Sequence, residues 1–256
     1  MTLVLAAHGT QDPRGALAVR AMADRLRARL PGVEVEVAYA DVREPDVTSV
    51  LRAVSGHAVV VPAFLAAGYH VRTDIPEQIA ASGKPDVVLA APLGPAPALV
   101  GAMHDRLVEA GWLRGDEVVL AAAGSSDPRA LADVRRAATL LGIRTGSTVR
   151  VGYVATARPS IVDAVGRARR NGGRVAVASW LLAPGLFHRA VAETSAAVIA
   201  QPIGAHPRLV STLSRRYLGT RCYHPASAVA DLSLRDPAHL GHPLRLLLDV
   251  GTHVPR

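Results

Sequence analysis

Apolar and polar positions along this chain form short blocks that switch between two periods. TLVLAA, from Thr2, is a continuous apolar run, and Val19, Met22, Leu26 and Leu30 then recur at helical spacing. VEVEVAYA sets Val33, Val35 and Val37 against Glu34 and Glu36, the alternation of a half-exposed strand. Pro45 is expected to open a second helix that runs to about Val54, since proline suits the first helical turn. AVVVPAF reads as a buried central strand. DVVLAAPLG supplies a fourth strand, and residues 98–110 a helix after it. Strand and helix in alternation predict an α/β fold with a doubly wound parallel sheet.

The pattern then repeats. LVLAAHGTQDPRGALAVR, from Leu3, returns as VVLAAAGSSDPRALADVR, from Val118. VEVAYADVREPDV, from Val35, matches VRVGYVATARPSIV, from Val149. FLAAGYH at Phe64 echoes LLAPGLFH at Leu181, and PLGPAPALVGAMHDRL at Pro92 echoes PIGAHPRLVSTLSRRY at Pro202. Four segments in the same order at nearly constant offset imply duplication. Two similar α/β lobes are expected, residues 1–113 and 117–221, joined near GWLRGDE, with a cleft between them as the natural ligand site. Residues 222–256 have no partner in the first half and read as an extension that carries His224, His239, His242 and His253.

Composition narrows the class. The 256 residues are half apolar, with no uninterrupted run near the roughly 20 residues of a membrane span. The N-terminus lacks the basic region of a signal peptide and reads as the first strand. A single cysteine, Cys222, excludes an internal disulfide and a multi-cysteine metal site within one chain, so a soluble cytoplasmic protein is expected, with no membrane partner. The formal charge of +8 is carried almost wholly by arginine, Lys84 being the one lysine. Aromatic residues are few and do not interleave with the arginines, and no helix-turn-helix or zinc-finger pattern is present, so no nucleic-acid partner is expected.

Open α/β sheets collect ligands at the carboxyl ends of their strands. His8 ends the first strand, Asp41 follows the second, and His70 follows the third. Two imidazoles and a carboxylate suit a divalent transition metal, and imidazole also suits proton removal near neutral pH. The repeat places Ala123 opposite His8 and Ala155 opposite Asp41, while His188 stands near the counterpart of His70 with one extra residue after the glycine. One active site, in the first lobe, with a degenerate second lobe is therefore expected. Thr10 and Ser125 sit at strand-to-helix turns, where a hydroxyl can cap a helix or donate to a carboxylate.

LAAHGTQDPRG, the segment FLAAGYHVRTDIP and the duplicated PLG element together resemble the sirohydrochlorin chelatases, and the doubled length resembles their two-lobed, ATP-independent form. The resemblance covers nearly all of the chain outside its last thirty or so residues. It implies insertion of Fe2+ or Co2+ into sirohydrochlorin, a polycarboxylate tetrapyrrole, on the way to sirohaem or cobalamin. The metal is then a substrate, and no organic cofactor is needed. His8 and His70 become the pair that delivers metal and accepts pyrrole protons. Asp41 stands where the family commonly has glutamate, with Glu44 as the alternative third ligand. Only neutral imidazole binds metal, so activity should fall in acid. Arginine forks match carboxylates; Arg14, Arg43, Arg72 and Arg129, with Thr10 and His188, are the candidate substrate contacts. A rival reading is a carrier of tetrapyrrole or metal without turnover. A histidine phosphatase is disfavoured because Ala7 stands where such enzymes place an arginine.

Overall fold

The computed structural model of the protein describes residues 1–221; Cys222 and the extension with its four histidines lie outside the described residues. The first half runs β1 (Thr2–Ala7), α1 (Pro13–Arg29), β2 (Glu34–Tyr39), α2 (Val47–Ala53), β3 (Ala58–Pro62), a π-helical turn (His70–Asp74), α3 (Ile75–Ser82), β4 (Val87–Leu89) and α4 (Pro97–Glu109). The second half repeats the order: β5 (Glu117–Ala122), α5 (Pro128–Thr145), β6 (Val149–Tyr153), α6 (Ile161–Arg169), β7 (Val175–Trp180), α7 (Leu186–Ala192), β8 (Val198–Ile199) and α8 (Pro207–Arg221). Each half builds one four-stranded parallel sheet, β2-β1-β3-β4 and β6-β5-β7-β8. In each, the chain leaves the central strand in opposite directions, which opens a crevice at the carboxyl end between β1 and β3 and again between β5 and β7.

The repeated Asp-Pro-Arg triplet explains why both long helices start where they do. Asp12 accepts the Arg14 N–H at 2.9 Å, Asp127 accepts that of Arg129 at 2.9 Å, and Pro13 and Pro128 take the first helical position. Thr10 and Ser125 back up these caps, their hydroxyls accepting the N–H of Asp12 and of Asp127. The second helix departs from expectation. Pro45 follows a cis peptide and lies outside the helix, which begins at Val47 with Asp46 accepting the Ser49 N–H at 2.7 Å. A capping carboxylate satisfies a free helical N–H, which proline cannot do.

One apolar core runs through both halves. Leu3, Leu5 and Val61 of the first sheet and Leu120, Ala178 and Trp180 of the second belong to a single buried cluster with α1, α4, α5 and α8. Smaller clusters cover the outer faces: α2 and Ile75 lie over β1 and β3, and α6 and Val191 over β5 and β7. Within the shared core α1 packs on β2 of the first sheet and α5 on β6 of the second. Helix α4 packs against β7 of the other half, and Arg208 on α8 reaches back to Asp105 on α4 at 3.0 Å. No helix among the described residues is long and apolar enough to cross a membrane.

Candidate metal centre

The three edge residues meet. One ligand atom from each of His8, Asp41 and His70 lies within 4.8 Å of the other two, His8 and Asp41 being exposed and His70 half-buried. Each arrives from a different strand end: His8 directly after β1, Asp41 two residues after β2, and His70 at the start of the π-helical turn that follows β3. Backbone hydrogen bonds stitch these ends together. The Ala40 N–H donates to the Ala7 carbonyl at 2.8 Å and the Asp41 N–H to the His8 carbonyl at 3.0 Å, continuing the β1–β2 ladder past the strands. Gly9, at φ +97°, lets the chain turn away so close to Asp41 that a side chain there would collide with its carbonyl.

The ring geometry leaves room for a cation. His8 and His70 stand edge to face, centroids 4.5 Å apart and planes at 78°. Phe64 lies behind both, 6.2 Å from His8 and 6.0 Å from His70. His8 Nδ1 is 3.1 Å from the Gly9 carbonyl and His70 Nδ1 is 2.8 Å from Asp74 Oδ2, so each ring has its other nitrogen, Nε2, available. Asp41, rather than Glu44, completes the group; the Glu44 carboxylate instead accepts the Asp46 N–H at 3.0 Å. Two neutral imidazoles and one carboxylate make a borderline-hard donor set that accepts first-row divalent ions.

The remaining sequence candidates fall around this centre with other partners in hand. Arg14 folds back on Asp12, Nε to Oδ1 at 3.1 Å and NH2 to Oδ2 at 2.8 Å, and holds that carboxyl down at about 2. Arg129 does the same to Asp127 and lowers its pKa. Both arginines are largely exposed, and Arg14 lines an open groove of about 450 Å³ with Gln11, Asp12, Pro13 and Arg189. Arg43 donates to the Thr10 carbonyl at 2.9 Å. Arg72 donates to the Ala67 carbonyl at 2.8 Å and stands 3.7 Å from Asp127 of the other half. His188 sits half-buried on α7 with Nε2 3.2 Å from the Ala200 carbonyl, and burial lowers its pKa. The one extra residue before it turns it about 100° round the helix from the place His70 would occupy. Asp74, Gln78 and Asp133, whose carboxylate accepts the Ala67 N–H at 3.2 Å, escaped the sequence reading. The spacing of His70 and Asp74, four apart on a helix, is the signal that was available.

The second half keeps the backbone and lacks the candidate ligands. Ala155 N–H donates to the Ala123 carbonyl at 2.9 Å, as Asp41 does to His8, and Gly124 at φ +99° repeats Gly9. Methyl groups stand where the first half has an imidazole and a carboxylate.

Fold and site therefore define a duplicated α/β protein whose described residues include a His2Asp group with the donor set for a divalent metal. The CbiX family model matches the chain twice, over residues 2–110 and 117–220, and the chain belongs to the CbiX family. It is 26% identical over 229 residues to the sirohydrochlorin ferrochelatase of Priestia megaterium, a match spanning 82% of this chain and 86% of that protein. It is 29% identical over 143 residues to the sirohydrochlorin ferrochelatase of Bacillus subtilis (strain 168), across 52% and 55% of the two chains. Among solved structures, SirB from Bacillus subtilis with Fe3+ superposes with a TM-score of 0.72 at 22% identity, covering 86% of this chain and 94% of that one. A cobalt complex of SirB from Bacillus subtilis subspecies spizizenii gives 0.71 at 23% identity, covering 88% and 97%. These structures share the fold.

Proposed function

We propose that this protein inserts a divalent metal, Fe2+ or Co2+, into sirohydrochlorin in sirohaem or cobalamin biosynthesis. The observation that carries the reading is the convergence of His8, Asp41 and His70 from three strand ends onto one solvent-open point. Family membership and the names of the two curated relatives support the same substrate.

In this reaction the metal enters as its dication and the two inner N–H protons of the macrocycle leave, so charge balances without a redox partner or nucleotide. His8 and His70 share metal delivery and proton acceptance. A given Nε2 cannot hold a metal and a proton together, so each ring must give up the ion before, or while, it takes the proton. Asp41 offsets the charge of the dication. Arg14, Arg43, Arg72 and Arg129, with Thr10 and His188, are proposed to border the macrocycle and meet its carboxylates. The two largely exposed forks, Arg14 and Arg129, are the best placed to exchange an aspartate for a substrate carboxylate. Organic cofactor, nucleic acid and membrane have no part in the scheme. A cytoplasmic setting accords with the single cysteine.

An anaerobic absorbance assay with sirohydrochlorin and Co2+ or Fe2+ tests the proposal, comparing the unaltered chain, His8→Ala and His70→Ala with the uncatalysed rate. Enzyme-dependent insertion lost in both variants is expected. Tetrapyrrole binding with no acceleration by any divalent metal would replace the chelatase with a carrier.

A further inference from the structure

We propose that Asp74 and Gln78 are positioning residues that fix the proton of His70 on Nδ1 and so present Nε2 as a bare lone pair to the metal. The inference extends the reading of His70 as a metal ligand and is independent of whether a tetrapyrrole is the eventual acceptor.

Gln78 lies on α3, four residues beyond Asp74, and its amide is held at both ends by main-chain groups that cannot change character. Its Oε1 accepts the Val47 N–H at 3.0 Å, and its Nε2 donates to the Ala40 carbonyl at 2.8 Å. Turning the amide over would set NH2 against N–H and oxygen against oxygen, so the Gln78 orientation is determined by the chain itself. The second hydrogen on Nε2 then points to Asp74 Oδ1 at 2.9 Å. That bond makes Asp74 an acceptor on this side and leaves its other oxygen, Oδ2, 2.8 Å from His70 Nδ1. A carboxylate has no proton to give, so His70 Nδ1 must carry one. In neutral imidazole, Nε2 is then unprotonated.

This is the arrangement by which metal-binding histidines are oriented elsewhere: the nitrogen not used for metal donates to a carboxylate, which fixes ring angle and tautomer and raises ligand basicity. The network does more than hold one ring. Ala40, which receives the Gln78 N–H, immediately precedes Asp41, and Val47 is the first residue of the helix that follows the Asp41 loop. Gln78 therefore ties the His70 arm to the Asp41 arm through one side chain, fixing the distance between two of the three ligands. The π-helical turn contributes as well. Its wide i to i+5 bond, from the Ile75 N–H to the His70 carbonyl, adds a residue between the ligand and the regular helix. Such turns recur at functional sites.

The second half supports the assignment by contrast. There the corresponding helix, α7, starts directly at Leu186 and its histidine is one residue out of place, bonded to the Ala200 carbonyl. Where the ligand is lost, the carboxylate and amide behind it are gone too. Val191 and Ser195 stand at the offsets of Asp74 and Gln78 counted from Phe187, and Ala192 and Ala196 at those offsets counted from His188.

The test uses the full chain with Co2+ alone, so that failure of the chelatase reading and failure of this one separate. Nitrogen-15 imidazole spectra of the metal-free protein report the His70 tautomer, and a Co2+ titration followed by the visible d–d bands reports affinity. Asp74→Ala is expected to let His70 populate the Nε2–H tautomer and to weaken Co2+ binding by roughly 10- to 100-fold. Gln78→Glu sets a second carboxylate against Asp74 and is expected to weaken Co2+ binding in the same direction, giving a reading should Asp74→Ala fail to fold. A structural role alone would lower the melting temperature and leave tautomer and affinity untouched. Folded variants with the wild-type tautomer and an affinity within about threefold of wild type would overturn the proposal, since a supporting partner is worth at least tenfold.

Discussion

Gly9→Ala, with Gly124→Ala as its internal control, isolates the proposed metal centre from the scaffold that carries it. At Gly9 an added Cβ would lie 2.1 Å from the Asp41 carbonyl oxygen, where contacts under 3.0 Å are essentially never seen, and φ is +97°. At Gly124 the same atom would lie 1.9 Å from the Ala155 carbonyl oxygen, with φ +99°. Both substitutions place an L-residue in a left-handed conformation, at roughly 1–2 kcal/mol. Both also push two strand ends apart by about an ångström, so each should destabilise the fold by about 2–4 kcal/mol in all. The functional consequences should diverge. Gly9 stands between His8 and Asp41, and a displacement near 1 Å far exceeds the tolerance of roughly 0.2 Å for metal–ligand distances. Thermal unfolding with and without Co2+, followed by the insertion assay, reads both effects. Gly9→Ala should lose at least about tenfold in Co2+ affinity and on the order of a hundredfold in insertion rate. Gly124→Ala should lose comparable stability while a folded sample binds Co2+ as wild type does. Equal loss of Co2+ binding in the two variants, or full retention in Gly9→Ala, would refute the reasoning.

Charge sets the remaining expectations. Burial lowers the pKa values of His104, His188 and His206 below the ordinary 6.5, so the unfolded chain takes up protons first. Stability is therefore held above that value and declines as pH falls through it, and a melting temperature that stays flat from about pH 7.5 to 5.5 would contradict this. His188→Gln, which keeps a donor for the Ala200 carbonyl, should flatten the decline. Asp12, held down at about 2 by Arg14, contributes fully above its ordinary 3.8; the contribution declines below that value and is gone once pH has fallen through about 2. Its carboxyl carbon resonance should titrate there, and Asp12→Ala should lower the melting temperature at neutral pH. Arg72→Ala removes an exposed ion pair and should cost no more than about 1 kcal/mol of stability. It also frees the Ala67 carbonyl beside the His70 turn, so the insertion rate should fall by about tenfold, more than stability alone accounts for.

Much of this molecule was legible in its sequence because the chain states it twice. Apolar runs and 3.6-residue periods gave the strands and long helices; the caps were expected from Thr10 and Ser125, whereas Asp12 and Asp127 two residues on are the N-caps, each accepting from the helix's own N–H. His8 and Asp41 could be placed because each lies within two residues of a strand end, where direction is set by the sheet. Pro45 misled because first-turn preference is a local signal, while the helix start was decided by Asp46 and its capping bond to Ser49. His188 could be aligned to His70 only to within a residue, and on a helix one residue is a different face. Asp74 and Gln78 lay in plain sight in HVRTDIPEQ, yet their role depends on Ala40 and Val47, about thirty residues or more away. Partners fixed by tertiary contact leave no periodicity to read.

The most direct test of the account is anomalous diffraction at the cobalt edge from crystals of the full chain grown with Co2+. The account predicts one dominant peak among His8, Asp41 and His70, with His70 bound through Nε2 and its Nδ1 still on Asp74. A dominant peak elsewhere, such as among the histidines of residues 222–256, with the triad empty at saturating Co2+, would contradict it.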